Sequence, residues 1–219
     1  MSQSIDLKQA DRKVFTASFD DGLVDIFISS VTLMFAVGPL TTAFINPYLG
    51  DFWGDLLGTV MFLPLWGITY LVLRWIRKRF VGPRIGVVKY GPTRRRKMST
   101  FSWLMLTLNV IFLILGILFA VVPSGPGWLN VLPFSAMVLI SFTLAAYFLD
   151  LNRFYIYGLM LGLAPIVGEW LYREFGVAHH GFPVTFGIAT VVIFLIGLVK
   201  LFSILRENPF PVEEPTPQA

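Results

Sequence analysis

The chain has 219 residues, of which 56% are hydrophobic and only 14% charged, and its mean hydropathy is +0.74. A soluble fold carries roughly 25% charged residues to cover its surface, so this composition excludes water as the solvent for most of the chain and requires lipid. Cysteine is absent, which excludes disulfides, thiolate catalysis and cysteine-bound zinc or iron–sulfur clusters.

Residues 1–23 are polar and charged, with Asp6, Lys8, Asp11, Arg12, Lys13, Asp20 and Asp21. They show neither the apolar core nor the small-residue cleavage site of a secretion signal, and are expected to remain as a cytoplasmic N-terminal segment. Residues 24–205 are expected to form one transmembrane domain. A helix needs about 20 mostly apolar residues to cross the ~30 Å hydrocarbon core. Six stretches approach that length, over residues 24–45, 54–76, 101–122, 131–149, 153–171 and 182–205. The predicted fold is therefore all-α, a polytopic transmembrane bundle of about six spans.

Spans three and six are the clearest, because residues 101–122 and 182–199 hold no charge. Span one is diluted by Ser29, Ser30, Thr32, Thr41 and Thr42, and Gly38-Pro39 is expected to kink it or end the regular helix. Only Asp150, Leu151 and Asn152 join spans four and five, which makes them an antiparallel hairpin. Residues 206–219 carry Pro209, Pro211, Pro215 and Pro217 beside Glu213 and Glu214, a composition that predicts a disordered cytoplasmic tail.

Orientation follows from the cations, because cytoplasmic loops near span ends retain Lys and Arg. Ten of the 17 positive residues lie between Arg74 and Lys97, with no acidic residue among them. Placing this stretch inside also places Lys8, Arg12, Lys13, Arg153, Lys200 and Arg206 inside and leaves only Arg173 outside. Both termini are then cytoplasmic. The formal net charge of +4 thus reflects topology, and no nucleic-acid partner is expected.

The segment 77–100 is predicted as a basic cytoplasmic loop. Its Arg84, Lys89, Arg94, Arg95, Arg96 and Lys97 are candidates for holding anionic lipid headgroups or a partner, beside the plainer role of setting topology. Phe80, Val81, Ile85, Val87, Val88 and Tyr90, punctuated by Gly82-Pro83 and Gly86, suggest a β-like turn on the membrane surface. The run Pro83-Arg84-Ile85-Gly86-Val87-Val88-Lys89-Tyr90, with the opening Asp21-Gly22-Leu23-Val24-Asp25-Ile26, resembles segments of uncharacterised prokaryotic multi-span integral membrane proteins. That resemblance implies a prokaryotic membrane protein and no particular activity.

Ionisable residues within spans are costly and mark candidate sites. Asp25, at the mouth of span one, follows Asp20 and Asp21, and all three suit a helix N-terminus through capping and the dipole. Asp150 and Arg153 flank the hairpin, where each can pair with the other or with the basic loop. Glu169 lies about one turn inside the far end of span five, with Arg173 four residues later on the same face. It reads either as that ion pair or as a cation or proton site assisted by His179 and His180. Two adjacent histidines make no metal motif, and no metal or cofactor is expected.

Small residues at four-residue spacing, among them Gly54 and Gly58, Gly158 and Gly162, and Gly168 after Ala164, let helices approach closely. Span five is therefore expected at the centre of the bundle. No nucleotide-binding, hydrolase or metalloprotease motif occurs.

The leading functional expectation is a non-catalytic membrane partner or accessory protein of the cell (plasma) membrane, contacting anionic lipid, another membrane protein or a second copy of itself. A small transporter, channel or transport-associated subunit is the alternative, with Asp25 and Glu169 lining a polar route. An intramembrane lipid-modifying enzyme is a third.

Overall fold

The computed structural model describes residues 19–85, 92–121 and 128–209. Every regular element among them is helical. Six helical stretches are long and apolar enough to span a membrane, namely Leu23–Leu49, Asp51–Arg84, Arg94–Leu115, Val131–Leu149, Arg153–Phe175 and His179–Glu207.

The first stretch is helix α1, Leu23–Leu49. It continues through Pro39 and Pro47, so of the two outcomes expected at Gly38-Pro39, a kink or an end, the helix does not end there. Hydroxyls help make this polar span tolerable in lipid by returning to carbonyls of their own helix: Ser29 donates to Ile26 at 2.7 Å, Ser30 to Phe27 at 2.7 Å and Thr41 to Gly38 at 2.7 Å. Such local bonding removes most of the cost of an unpartnered polar group in a hydrocarbon medium.

The second stretch is composite. Helix α2 (Asp51–Val60) and helix α3 (Phe62–Ile76) meet at Met61. A π-helical turn over Arg77–Val81 and the short helix α4, Gly82–Ile85, carry the chain on. This part of the expected loop is thus helical rather than β-like, because its apolar Val81 is buried and keeps the backbone wound against α1 and the last span. Residues 86–91 of the expected turn, including Lys89, lie outside the described residues. Helix α5, Pro92–Val121, already begins within the basic stretch, so Arg94, Arg95, Arg96 and Lys97 sit on a helix. Helix α6 is Trp128–Leu149, α7 is Arg153–Phe175 and α8 is Phe182–Glu207, the last preceded by a 3-10 turn at His179–Gly181.

Side-chain partners sort the connections to two ends. Asp20, Arg77, Asp150, Arg153 and Lys200 meet at one end, here the basic end. Glu169, Arg173 and His180 meet at the other, the far end.

Four helices build the core. Helix α1 packs along α8, and α7 lies between α6 and α8. Half of the apolar stretch of α7 is buried, against none of that of α5. The core joins Tyr157, Leu161 and Ala164 of α7 to Phe186, Ala189 and Ile193 of α8 and to Ala36 of α1. Phe35 of α1 stacks near Phe134 of α6 and Phe186 of α8 at ring-centre distances of 5.2 and 5.1 Å, within the favourable range for aromatic pairs.

Glycines set the closest approaches. A β-carbon on Gly158 would lie 2.8 Å from that of Phe142, and one on Gly162 would lie 2.5 Å from Cγ of Leu139. The tight α6–α7 seam therefore depends on both. Gly54 and Gly58 of α2 play this part against Asn46 and Thr42 of α1, and Gly168 against the backbone of His180.

Gly22 is the tightest backbone constraint. It opens α1 at φ +77°, and a β-carbon there would collide with the carbonyl oxygen of Gly197 on α8. A left-handed non-glycine residue costs about 1–3 kcal/mol before any collision is counted. We predict that Gly22→Ala lowers the thermal unfolding midpoint in detergent, whereas Gly187→Ala, with nothing within 4 Å of the added carbon, does not. Equal midpoints for the two variants would refute this view of the α1–α8 contact.

Candidate functional site

Charged side chains gather into two clusters, one at each end of the bundle. At the basic end Arg153 is central. It opens α7, its side chain is 13% exposed, and its Nε donates to Oδ1 of Asp25 at 2.8 Å. Its Nη1 pairs with Asp20 and its Nη2 donates to the Phe19 carbonyl at 2.9 Å. Lys200 of α8 pairs with the same Asp20. One guanidinium therefore ties the N-terminal segment, α1 and α7 together, and Asp20 carries the tie to α8. Arginine suits this place because its planar fork offers five donors in fixed directions.

The three neighbouring aspartates divide their work. Asp21, not Asp25, caps α1, its Oδ1 accepting from the Leu23 amide at 3.1 Å. Its other oxygen lies 3.2 Å from Nη2 of Arg77. Burial pushes the Asp21 carboxyl above the usual carboxylate range, against the opposing pull of Arg77 and the Leu23 amide. Asp25 is fully buried. One of its oxygens meets Arg153, while the other, Oδ2, has no hydrogen-bond partner. The buried Tyr157 hydroxyl lies beside Asp25 and Arg153 but outside hydrogen-bond geometry. Slightly farther into the bundle, Thr32 of α1 and Thr190 of α8 share a hydrogen bond of 2.9 Å.

A second tie at this end explains the remaining hairpin residue. Arg94 of α5 meets Asp150 at 2.7 Å, and Lys97 lies 3.6 Å from the same oxygen. Asp150 and Arg153 therefore pair with different parts of the protein and not with each other. Asp150 stands at φ +55°, a left-handed position that aspartate tolerates better than most residues. Arg84 donates to the Leu205 carbonyl at 2.7 Å, joining α4 to the end of α8. Of the six basic residues expected to face lipid or a partner, Arg84, Arg94 and Lys97 thus make contacts within the protein. Arg95 and Arg96 are exposed.

At the far end Glu169 accepts from Nε of Arg173 at 2.9 Å and meets Nδ1 of His180 at 2.8 Å. His180 also lies against the Tyr172 ring, with ring centres 4.4 Å apart. His179, His180 and Gly181 are consecutively left-handed, at φ +56°, +54° and +64°. The Glu169 contact holds this strained turn between α7 and α8. Of the two histidines only His180 reaches Glu169, and no group of three metal-ligating side chains occurs among the described residues.

Asp25 and Glu169 do not form one site. Arg153, which holds Asp25, precedes Glu169 by sixteen residues on the same helix, or about 24 Å at 1.5 Å per residue. The sequence reading missed Lys200, Arg77 and Tyr157 as members of the basic-end cluster. Three acids just before a span, with Arg153 and Lys200 assigned to the same side, were the available signal.

Comparison with known proteins finds no matching family model, no matching curated protein and no matching solved structure.

Breaking a buried ion pair from one side leaves an uncompensated charge, at a cost of about 3–5 kcal/mol. We predict that Arg153→Met lowers the detergent unfolding midpoint strongly and that adding Asp25→Asn recovers part of the loss. If the double variant is no more stable than Arg153→Met alone, Asp25 is not the group that Arg153 compensates.

Proposed function

We propose that this protein acts as a non-catalytic partner within the cell membrane, associating with another transmembrane helix through α5. The observation that carries this reading is Asn109. It lies twelve residues beyond Lys97 on α5, about 18 Å along the helix axis, which is mid-depth for a span whose basic start lies at the interface. It is exposed, its amide nitrogen donating only to its own helix, to Met105 at 2.7 Å.

An amide at that depth has no water to bond. In lipid, Asn side chains gain by hydrogen bonding to a neighbouring helix, worth roughly 0.6–2 kcal/mol. Ser102, Leu106, Asn109 and Leu113 follow helical spacing along one side of α5, and all four are exposed. None of the apolar stretch of α5 is buried, so this stripe is open to a second helix along its length. The core helices, by contrast, spend their charged groups on one another, which suits a stable platform for such a contact.

The absence of cysteine makes the test clean. We predict that a single Cys at Leu106 or Leu113, labelled with a benzophenone maleimide and irradiated in native membranes, gives a covalent adduct either of doubled mass or with a second membrane protein. A Cys at Val199, on the exposed side of α8, should give none. Adding Asn109→Leu should reduce the α5 adduct several-fold. The reading fails if α5 and α8 positions cross-link alike, or if Asn109→Leu changes nothing.

Orientation belongs to the same reading. With both termini and the basic stretch cytoplasmic, reporters placed at Asn46 and at Arg94 should report opposite sides of the membrane. The same side for both would overturn the arrangement.

A further inference from the structure

We propose that the groove between α1 and α3 at the basic end is a binding site for an anionic phospholipid, with an acyl chain along its apolar wall and the phosphate held by Arg74 and Arg77. This inference uses helices other than α5 and stands apart from the partner reading. Leu23, Val24 and Phe27 of α1 form one wall, and Tyr70, Leu73, Arg74 and Arg77 line the other. The volume is about 490 Å³, within the ~300–1,000 Å³ typical of small-molecule sites.

The lining is graded along the membrane normal. Leu23 and Leu73 are buried and form the floor, packed with Val81 and Leu201. Tyr70, Arg74 and Arg77 are exposed and follow one another at four- and three-residue spacing, so they form one stripe leading out of the apolar wall. Arg74 lies in the last turn of α3 and Arg77 opens the π-helical turn after it, both lining the groove, and the residues just beyond, Lys78 and Arg79, add positive charge. An apolar slot that ends in paired arginines matches the chemistry of an anionic lipid. A zwitterionic headgroup would bring its own cation against them.

Arg77 also meets Asp21 at 3.2 Å while keeping 44% of its side chain exposed. A guanidinium bridges two acceptors readily because its donors fan out in a plane. Arg77 thus lines the groove while paired with Asp21. Lipid bound here would join α3, which carries the second span, to the N-terminal turn of α1 and the ionic cluster behind it.

The test is native mass spectrometry of the full chain released from detergent, titrated with dioleoyl phosphatidylglycerol or with dioleoyl phosphatidylcholine. The wild-type chain should bind phosphatidylglycerol preferentially. Arg74→Gln, which leaves the Asp21–Arg77 pair intact, should reduce that preference about fivefold. Val24→Trp, which fills the groove, should remove the tightest phosphatidylglycerol adduct. Arg95→Gln combined with Arg96→Gln, equally cationic positions on α5 outside the groove, should leave it unchanged. The proposal is overturned if Arg74→Gln has no effect, or if the α5 variant removes the preference equally, which would mean diffuse attraction. It is also overturned if Val24→Trp abolishes a species of doubled mass rather than a lipid adduct, which would give the groove to a second copy.

Discussion

The structure turns on a single guanidinium. Arg153 sits where the chain leaves the short hairpin and enters α7, and it gathers Asp20, Asp25 and the Phe19 carbonyl around itself. Because Asp20 also binds Lys200, the tie extends from the start of the bundle to its last helix. Charges buried near a membrane survive only when they are paired. That requirement determines the register of α1, α7 and α8 against one another more strictly than apolar packing can, since a Leu or Phe contact tolerates small slides and a guanidinium held by three separate acceptors does not.

The same logic separates a core from a periphery. Helices α1, α6, α7 and α8 share the aromatic and glycine-lined contacts, with Tyr157, Phe186 and Ile193 almost fully buried. Helices α2, α3 and α5 attach along single seams and leave rows of Trp, Leu and Ile exposed, among them Trp75, Trp103 and Leu113. Exposed apolar surface of this extent is a liability in water and the ordinary condition in lipid. Within that surface the amide of Asn109 and the arginine-ended groove between α1 and α3 depart from lipid chemistry. Both lie on the exposed periphery, whereas the paired charges of Asp25 and Arg153 lie in the core.

At the far end a smaller device repeats the principle. Glu169 holds Arg173 on its own helix and His180 across the turn, and the turn itself is three residues of left-handed backbone. A backbone of that kind persists only where side-chain contacts over-determine it. Its distance from Asp25 means that the two acidic residues belong to separate structural joints.

The sequence by itself determined the class of solvent, the all-helical fold and the six long apolar helices, because the bilayer imposes a length and a composition that can be counted along the chain. It also marked the Glu169–Arg173 pair, whose four-residue spacing is local, and the glycine pairs, whose spacing is that of a helix face. Continuation of α1 through Pro39 was not legible, since neighbouring helices decide whether an interrupted helix holds. Nor were the partners of Arg153: Asp25 is 128 residues away and Asp20 is 133, and no periodicity links such positions. Only the tertiary structure chose Asp25 over the nearby Asp150, because pairing in a low-dielectric interior follows distance in space, and the packing of α1 against α8 and α7 sets that distance.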